Sequence, residues 1–131
     1  MANQYVPYHA ESAEYAKKLT TCAKNPQEKY LIITKWVSKH ITYDYIRAIT
    51  IPKYGKEIPD VERCWKKQMG ICMDIASLTT GMLRSVGVNA NLIFGRADGQ
   101  SHAWVEAVIG NKRYRYDHGR KVKKYISQKV F

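Results

Sequence analysis

The apolar periodicity of this chain changes once, at Gly87, and that change limits what it can fold into. Before it, apolar residues recur every three or four positions; after it they alternate. Ile75, Leu78, Met82 and Val86 fall on one helical face that starts at Cys72 and stops at Gly87. Val88, Ala90, Leu92 and Phe94 then alternate, as do the residues of "HAWVEAVI" and "KRYRYD". Helices followed by an antiparallel sheet make an α+β chain.

The upstream half is punctuated by helix signals. Residues 11–24 carry Ala13, Ala16, Leu19 or Thr20, and Ala23 at helical spacing, with Cys22 expected to pack beside that helix. In "NPQEKYLIITKWVSKH", Asn25 is an N-cap, Pro26 occupies the first helical position and Glu28 completes a capping pattern. Tyr30, Ile33, Trp36 or Val37, and Ile41 form its apolar stripe, predicting a helix from 26 to 40. Beyond "ITYDY", Pro52, Gly55 and Pro59 predict an irregular stretch, read as a lid or groove wall. Residues 60–69 predict a short helix under an Asp60 cap, with Val61, Cys64 or Trp65, and Met69 inward, ended by Gly70.

Gly110 and Asn111 suit a two-residue hairpin turn. Such a turn sets Glu106 opposite Arg115 and Trp104 opposite Asp117, and places His102, Trp104, Glu106, Arg115 and Asp117 on one face. His102 and Asp117 become diagonal neighbours, ~7–8 Å apart at the backbone and within reach through their side chains. A three- or five-residue loop would shift the register and remove the pairing. Cys72, at a helix amino terminus, lies at the positive end of the helix dipole, which favours a thiolate. An imidazole held by a carboxylate can take a thiol proton and return it to a leaving group. Cys72, His102 and Asp117 are thus a candidate Cys-His-Asp triad.

Taken singly, each has a plainer reading. Cys72 alone is a small buried hydrophobe, His102 a strand histidine satisfied by Glu106, and Asp117 a strand-end cap. Their order, spacing and elements favour the triad. His118 is expected on the opposite face from Asp117 and is a poor alternative base; His9 and His40 carry no spacing signal. Trp104 is expected to pack or to shield the triad. The three cysteines, Cys22, Cys64 and Cys72, are too few and wrongly spaced for a disulfide framework or a zinc site.

"GICMDIA" with its helix, "HAWVEA" and "YRYD" together resemble the transglutaminase-like superfamily, relatives of papain-type cysteine proteases. "EKYLIITKWVSKHITYDY" is similar to the segment that precedes the cysteine in bacterial members, so the likeness covers roughly residues 25–118. The resemblance implies a papain-like core, catalytic Cys72, His102 and Asp117, and acyl chemistry; no cofactor or metal is expected. Water capture of the acyl-enzyme gives a cysteine peptidase or amidase acting on a protein or peptide substrate; amine capture gives a protein-glutamine cross-linking enzyme. Hydrolysis is favoured, because water needs no second binding site. The Cys72 backbone N–H is one candidate oxyanion donor; Gln68 and Trp65 are candidates for the second, with Trp104 as a further substrate-side residue. Nothing reads as a calcium loop.

Of 131 residues, 22 are Lys or Arg and 11 are Asp or Glu, a net charge of +11 concentrated towards residues 111–129. That surplus suits an acidic substrate or an anionic surface or polymer, though no nucleic-acid motif accompanies it. A catalytically silent basic binding module is therefore the non-enzyme alternative. The length fits a single domain over 1–131, and no apolar run approaches the ~20 residues of a membrane span. The segment "MANQYVPYHAES" has neither a basic n-region nor an apolar h-region, which leaves open a secreted or cell-surface domain lacking its leader, or a cytoplasmic one.

Overall fold

Capping sets most of the helical half. In the computed structural model, which describes residues 3–50, 58–119 and 121–131, α1 spans Ala10–Leu19, opened by the His9 ring accepting from the Ser12 N–H. It ends earlier than the periodicity predicts. Thr20 turns its hydroxyl back onto the Ala16 carbonyl at 2.9 Å, a local bond that competes with continued helix. Cys22 consequently lies exposed instead of packing beside the helix.

Helix α2 spans Pro26–His40, and Asn25 accepts the Glu28 N–H at 2.9 Å as its cap. Val37 takes the core position, whereas Trp36 stays half-buried on the outer side. There its ring lies 5.2 Å from that of Tyr15 and 5.6 Å from that of Trp65, tying α2 to its helical neighbours.

The stretch after "ITYDY" is partly regular. Thr42–Tyr43 form β1, and Asp44 accepts the Arg47 N–H at 3.0 Å to open α3, Tyr45–Thr50. Its six residues are too short for a periodic signal, and Tyr45, Ile46 and Ile49 point to solvent. The expected lid, with Pro52 and Gly55, lies outside the described residues; Pro59 is buried.

Helix α4, Val61–Lys67, begins under the Asp60 cap, with Cys64 turned inward and Trp65 outward. Arg63 Nη1 lies 2.8 Å from Asp44 Oδ2, an ion pair not aligned as a hydrogen bond. The helix stops at Gln68, which takes a left-handed φ of 55°, not at Gly70. Met69–Gly70 instead form β2, parallel to β1. Gly70 is required for space: a Cβ there would meet Asp74 Cβ at 2.8 Å and Cys64 Sγ at 2.9 Å.

Helix α5, Cys72–Ser85, is the central element, and Gly87 leaves it at φ 83°. Strands β3 (Asn89–Ala97), β4 (Gln100–Ile109), β5 (Lys112–Tyr116) and β6 (Tyr125–Val130) form an antiparallel sheet ordered β5-β4-β3-β6. Ile109 pairs with Lys112 and Glu106 with Arg115, the register of a two-residue Gly110–Asn111 turn. Ala103, Val105 and Ala107 of β4 join Ile75, Leu78 and Met82 of α5 in the core, each large side chain contributing ~1.5–3 kcal/mol by leaving water. Strand β6, which falls largely within the basic stretch of the sequence, pairs with β3 across an irregularity between Phe94 and Gly95. Among the described residues no helix is long and apolar enough to cross a membrane.

Candidate active site

The hairpin register brings His102 and Asp117 together as the sequence predicts. His102 Nε2 lies 2.8 Å from Asp117 Oδ1 and 3.0 Å from Oδ2. Tyr125, from β6, donates its hydroxyl to Asp117 Oδ2 at 2.8 Å, so the carboxylate is held from two sides. With Nε2 committed to Asp117, Nδ1 is the ring nitrogen left for another partner. At the amino end of α5, Cys72 borders the same two clefts as His102 and acts on the ring through hydrogen bonding and charge.

Burial is the largest single influence on the imidazole and works to lower its pKa. It is outweighed by the hydrogen bond to Asp117, then by the hydrogen bond and charge of Cys72 and the charge of Asp117, which together raise it from 6.5 to about 9. Such a rise means that the fold favours the protonated imidazole.

Trp104 closes one side of this group. It is 1% exposed, its ring centroid is 6.2 Å from that of His102 and 4.8 Å from that of Tyr125, and its indole N–H donates to Glu106 at 3.2 Å. Shielding is the part its position allows.

The predicted side-chain oxyanion donors each make a bond of their own. Gln68 Nε2 donates to the Trp65 carbonyl at 2.7 Å, and Trp65 Nε1 donates to Glu11 at 3.2 Å. Gln68 lies in a left-handed turn, and Trp65 lies in an aromatic cluster with Tyr15 and Trp36. The backbone of α5 is different. Its N-cap is Ile71, which has no side-chain acceptor for the first-turn N–H groups, so these donors stand uncapped beside the thiol.

What fixes that helix end is Asp74, which the sequence reading passed over. It is 1% exposed and accepts four bonds: from Arg47 Nε at 2.8 Å and Nη2 at 3.2 Å, from the Asp60 N–H at 2.8 Å and from the Ile71 N–H at 3.0 Å. One carboxylate thereby joins α3, the start of α4 and the residue before Cys72. An acidic residue in the first turn of a helix was the available signal; its partners were not visible.

Two clefts meet at Cys72 and His102. One, of about 700 Å³, is lined by Tyr43, Tyr45, Tyr116 and Asp117. The other, of about 480 Å³, is lined by Phe94, Gly95, Gln128 and Lys129. His118 also borders the larger cleft, contrary to the expectation that it faces away, but its Nε2 is spent on the Ile41 carbonyl at 2.7 Å. Among the described residues no group of three or more His, Cys, Asp or Glu is placed to hold a metal ion.

A cysteine at the amino end of a buried helix, facing a histidine carried on an antiparallel sheet, places the fold in the papain-like and transglutaminase-like class. The chain belongs to the transglutaminase-like superfamily, whose model matches residues 13–118. An uncharacterised protein of Mycobacterium leprae is 27% identical over 120 residues, covering 81% of this chain and 39% of that protein. A candidate cysteine protease from Cytophaga hutchinsonii superposes with a TM-score of 0.77 at 20% identity, covering 100% of this chain and 45% of that one. A structure described as a TGase superposes with a TM-score of 0.61 at 18% identity, covering 88% of this chain and 32% of that one. These structural likenesses establish the fold, and the chain spans less than half the length of each of the three relatives.

Proposed function

We propose that this protein is a thiol-dependent acyl enzyme that hydrolyses peptide or isopeptide amides through Cys72, His102 and Asp117. The observation that carries the reading is the convergence on one imidazole: Nε2 is held by Asp117, and Cys72 borders both clefts that His102 borders. Nδ1 of His102 takes the thiol proton, and the thiolate attacks the amide carbonyl, forming a C–S bond and an oxyanion. The uncapped N–H groups at the start of α5 are the donors nearest to hand for that charge. Collapse breaks the C–N bond, and the imidazolium delivers its proton to the departing amine. Water, deprotonated by the same imidazole, then attacks the thioester; the C–S bond breaks, releasing the acid and restoring the thiol. An amine in place of water would transfer the acyl group instead, which incorporation of a labelled amine into a glutamine-bearing protein would reveal.

The test is iodoacetamide alkylation across pH, mapped by mass spectrometry to the three cysteines, in the native protein and in His102→Ala. Preferential labelling of Cys72 well below pH ~8, lost in His102→Ala, supports the triad. A Cys72 that is inert, or that reacts as an ordinary thiol with or without His102, overturns it and favours the basic binding module. That module would bind an anionic polymer in a salt-sensitive way, unchanged by Cys72→Ser.

A further inference from the structure

The two clefts that meet at Cys72 differ in chemistry. The larger is lined by tyrosines and by Trp104, and no Lys or Arg borders it among the described residues. The smaller contains no Asp or Glu among its described lining residues, and beside His102 its one basic side chain there is Lys129. Strand β6 causes this difference. Phe94 pairs with Lys129 and Gly95 with Ser127, so Gln128 is the extra residue of a bulge, a device that re-aims side chains at a strand. Gln128 and Lys129 both border the cleft that holds Cys72 and His102. Both are exposed, and Lys129 forms no ion pair among the described residues.

From this we infer that Lys129 is a specificity residue: the enzyme selects protein or peptide substrates that carry an aspartate or glutamate side chain on the Lys129 side of the attacked carbonyl. The inference rests on the proposed acyl chemistry and adds a substrate class to it. An unpaired ammonium in a cleft free of described carboxylates favours a substrate carboxylate by charge, and the Gln128 amide is a neutral donor beside it. Lys129 on β6 lies two strands from His102 on β4, ~10 Å at ordinary strand spacing. At ~3.3 Å per extended residue, the selected side chain lies within about three residues of the attacked carbonyl. Ser127 to Val130 are exposed, so a chain can continue past the β6 edge; this favours an acidic side chain over a terminal carboxylate.

The experiment compares alkylation of Cys72 by iodoacetate, an anion, with alkylation by neutral iodoacetamide, in the native protein and in Lys129→Gln, Lys129→Glu and Lys112→Gln. Lys112 lies on β5, outside both clefts, and its substitution makes the same change in net charge as Lys129→Gln. The iodoacetate-to-iodoacetamide rate ratio should fall roughly two- to tenfold in Lys129→Gln at low salt and further in Lys129→Glu, with Lys112→Gln close to native. An unchanged ratio in Lys129→Gln, or an equal fall in Lys112→Gln, overturns the inference while leaving the acyl chemistry standing. Failure of iodoacetamide itself to select Cys72 removes both. A blocked alanine-rich peptide bearing aspartate should also slow iodoacetamide more than its asparagine twin; equal protection rules out the acidic side chain.

Discussion

His102 Nε2 and Asp117 Oδ1 stand 2.8 Å apart, with both side chains less than a tenth exposed. A carboxylate this close to an imidazole orients the ring and favours its protonated form. With the ring's pKa raised from 6.5 to about 9, the imidazolium needed to protonate a leaving amine persists through neutral pH. The proposed hydrolysis should therefore fall off as pH rises through about 9. Asp117→Asn should move that alkaline limb towards lower pH, and a pH–rate profile of the two proteins measures the shift.

The same rise links pH to stability. A histidine whose folded pKa exceeds its unfolded value stabilises the fold fully below the unfolded pKa, here 6.5, and progressively less as pH climbs through about 9. Urea midpoints should drop between about pH 6 and about pH 10, less so in His102→Gln. Asp44 acts on the acid side. The Arg47 N–H, then Arg63, hold its carboxyl below the ordinary 3.8, so its contribution is present above that value and is lost as pH falls through the folded pKa.

Asp74 should be the costliest acidic residue to replace. Asp74→Ala leaves a partly buried Arg47 without its carboxylate and two backbone donors without an acceptor. Breaking such a pair typically costs ~3–5 kcal/mol, and urea denaturation would register it. Because the Ile71 N–H is among the lost contacts, Cys72 alkylation should slow even at temperatures where the variant remains folded.

Cys64 should stay unlabelled in native protein. It is 1% exposed, and burial first, then the charge of Asp74, push its thiol up to about 12. Iodoacetamide applied before and after denaturation, with peptide mapping, would show Cys64 reacting only once unfolded. Labelling in the native state would contradict the packing of α4 against α5.

Gly95→Ala should detach β6. The added Cβ would lie 2.0 Å from the Ile126 carbonyl oxygen and 2.8 Å from the end of the Trp104 ring. Overpacking of this kind costs ~1–3 kcal/mol, more where the neighbour is backbone. Hydrogen exchange should rise along Tyr125–Val130, and with β6 displaced Asp117 loses the Tyr125 hydroxyl.

What the sequence determined alone was carried by period and punctuation. The change of period at Gly87, the Asn25 and Asp60 caps and the Gly110–Asn111 turn are local rules, and they suffice for the α+β order, for α2 and for the β4–β5 register. That register is why the His102–Asp117 contact was legible. Tertiary structure decided the remainder. Asp74 joins residues separated by 27 and 14 positions, and nothing local to a carboxylate records which distant donors it will meet. The bonds that the candidate oxyanion donors Gln68 and Trp65 make, to the Trp65 carbonyl and to Glu11, were likewise decided by the folded chain. Strand β6 has exposed residues on both faces from Ile126 to Val130, so it leaves no alternation to read. Only its docking on β3 brings Tyr125 to Asp117 and Lys129 to the cleft at Cys72, because backbone pairing at an exposed edge depends on the partner strand more than on side-chain pattern.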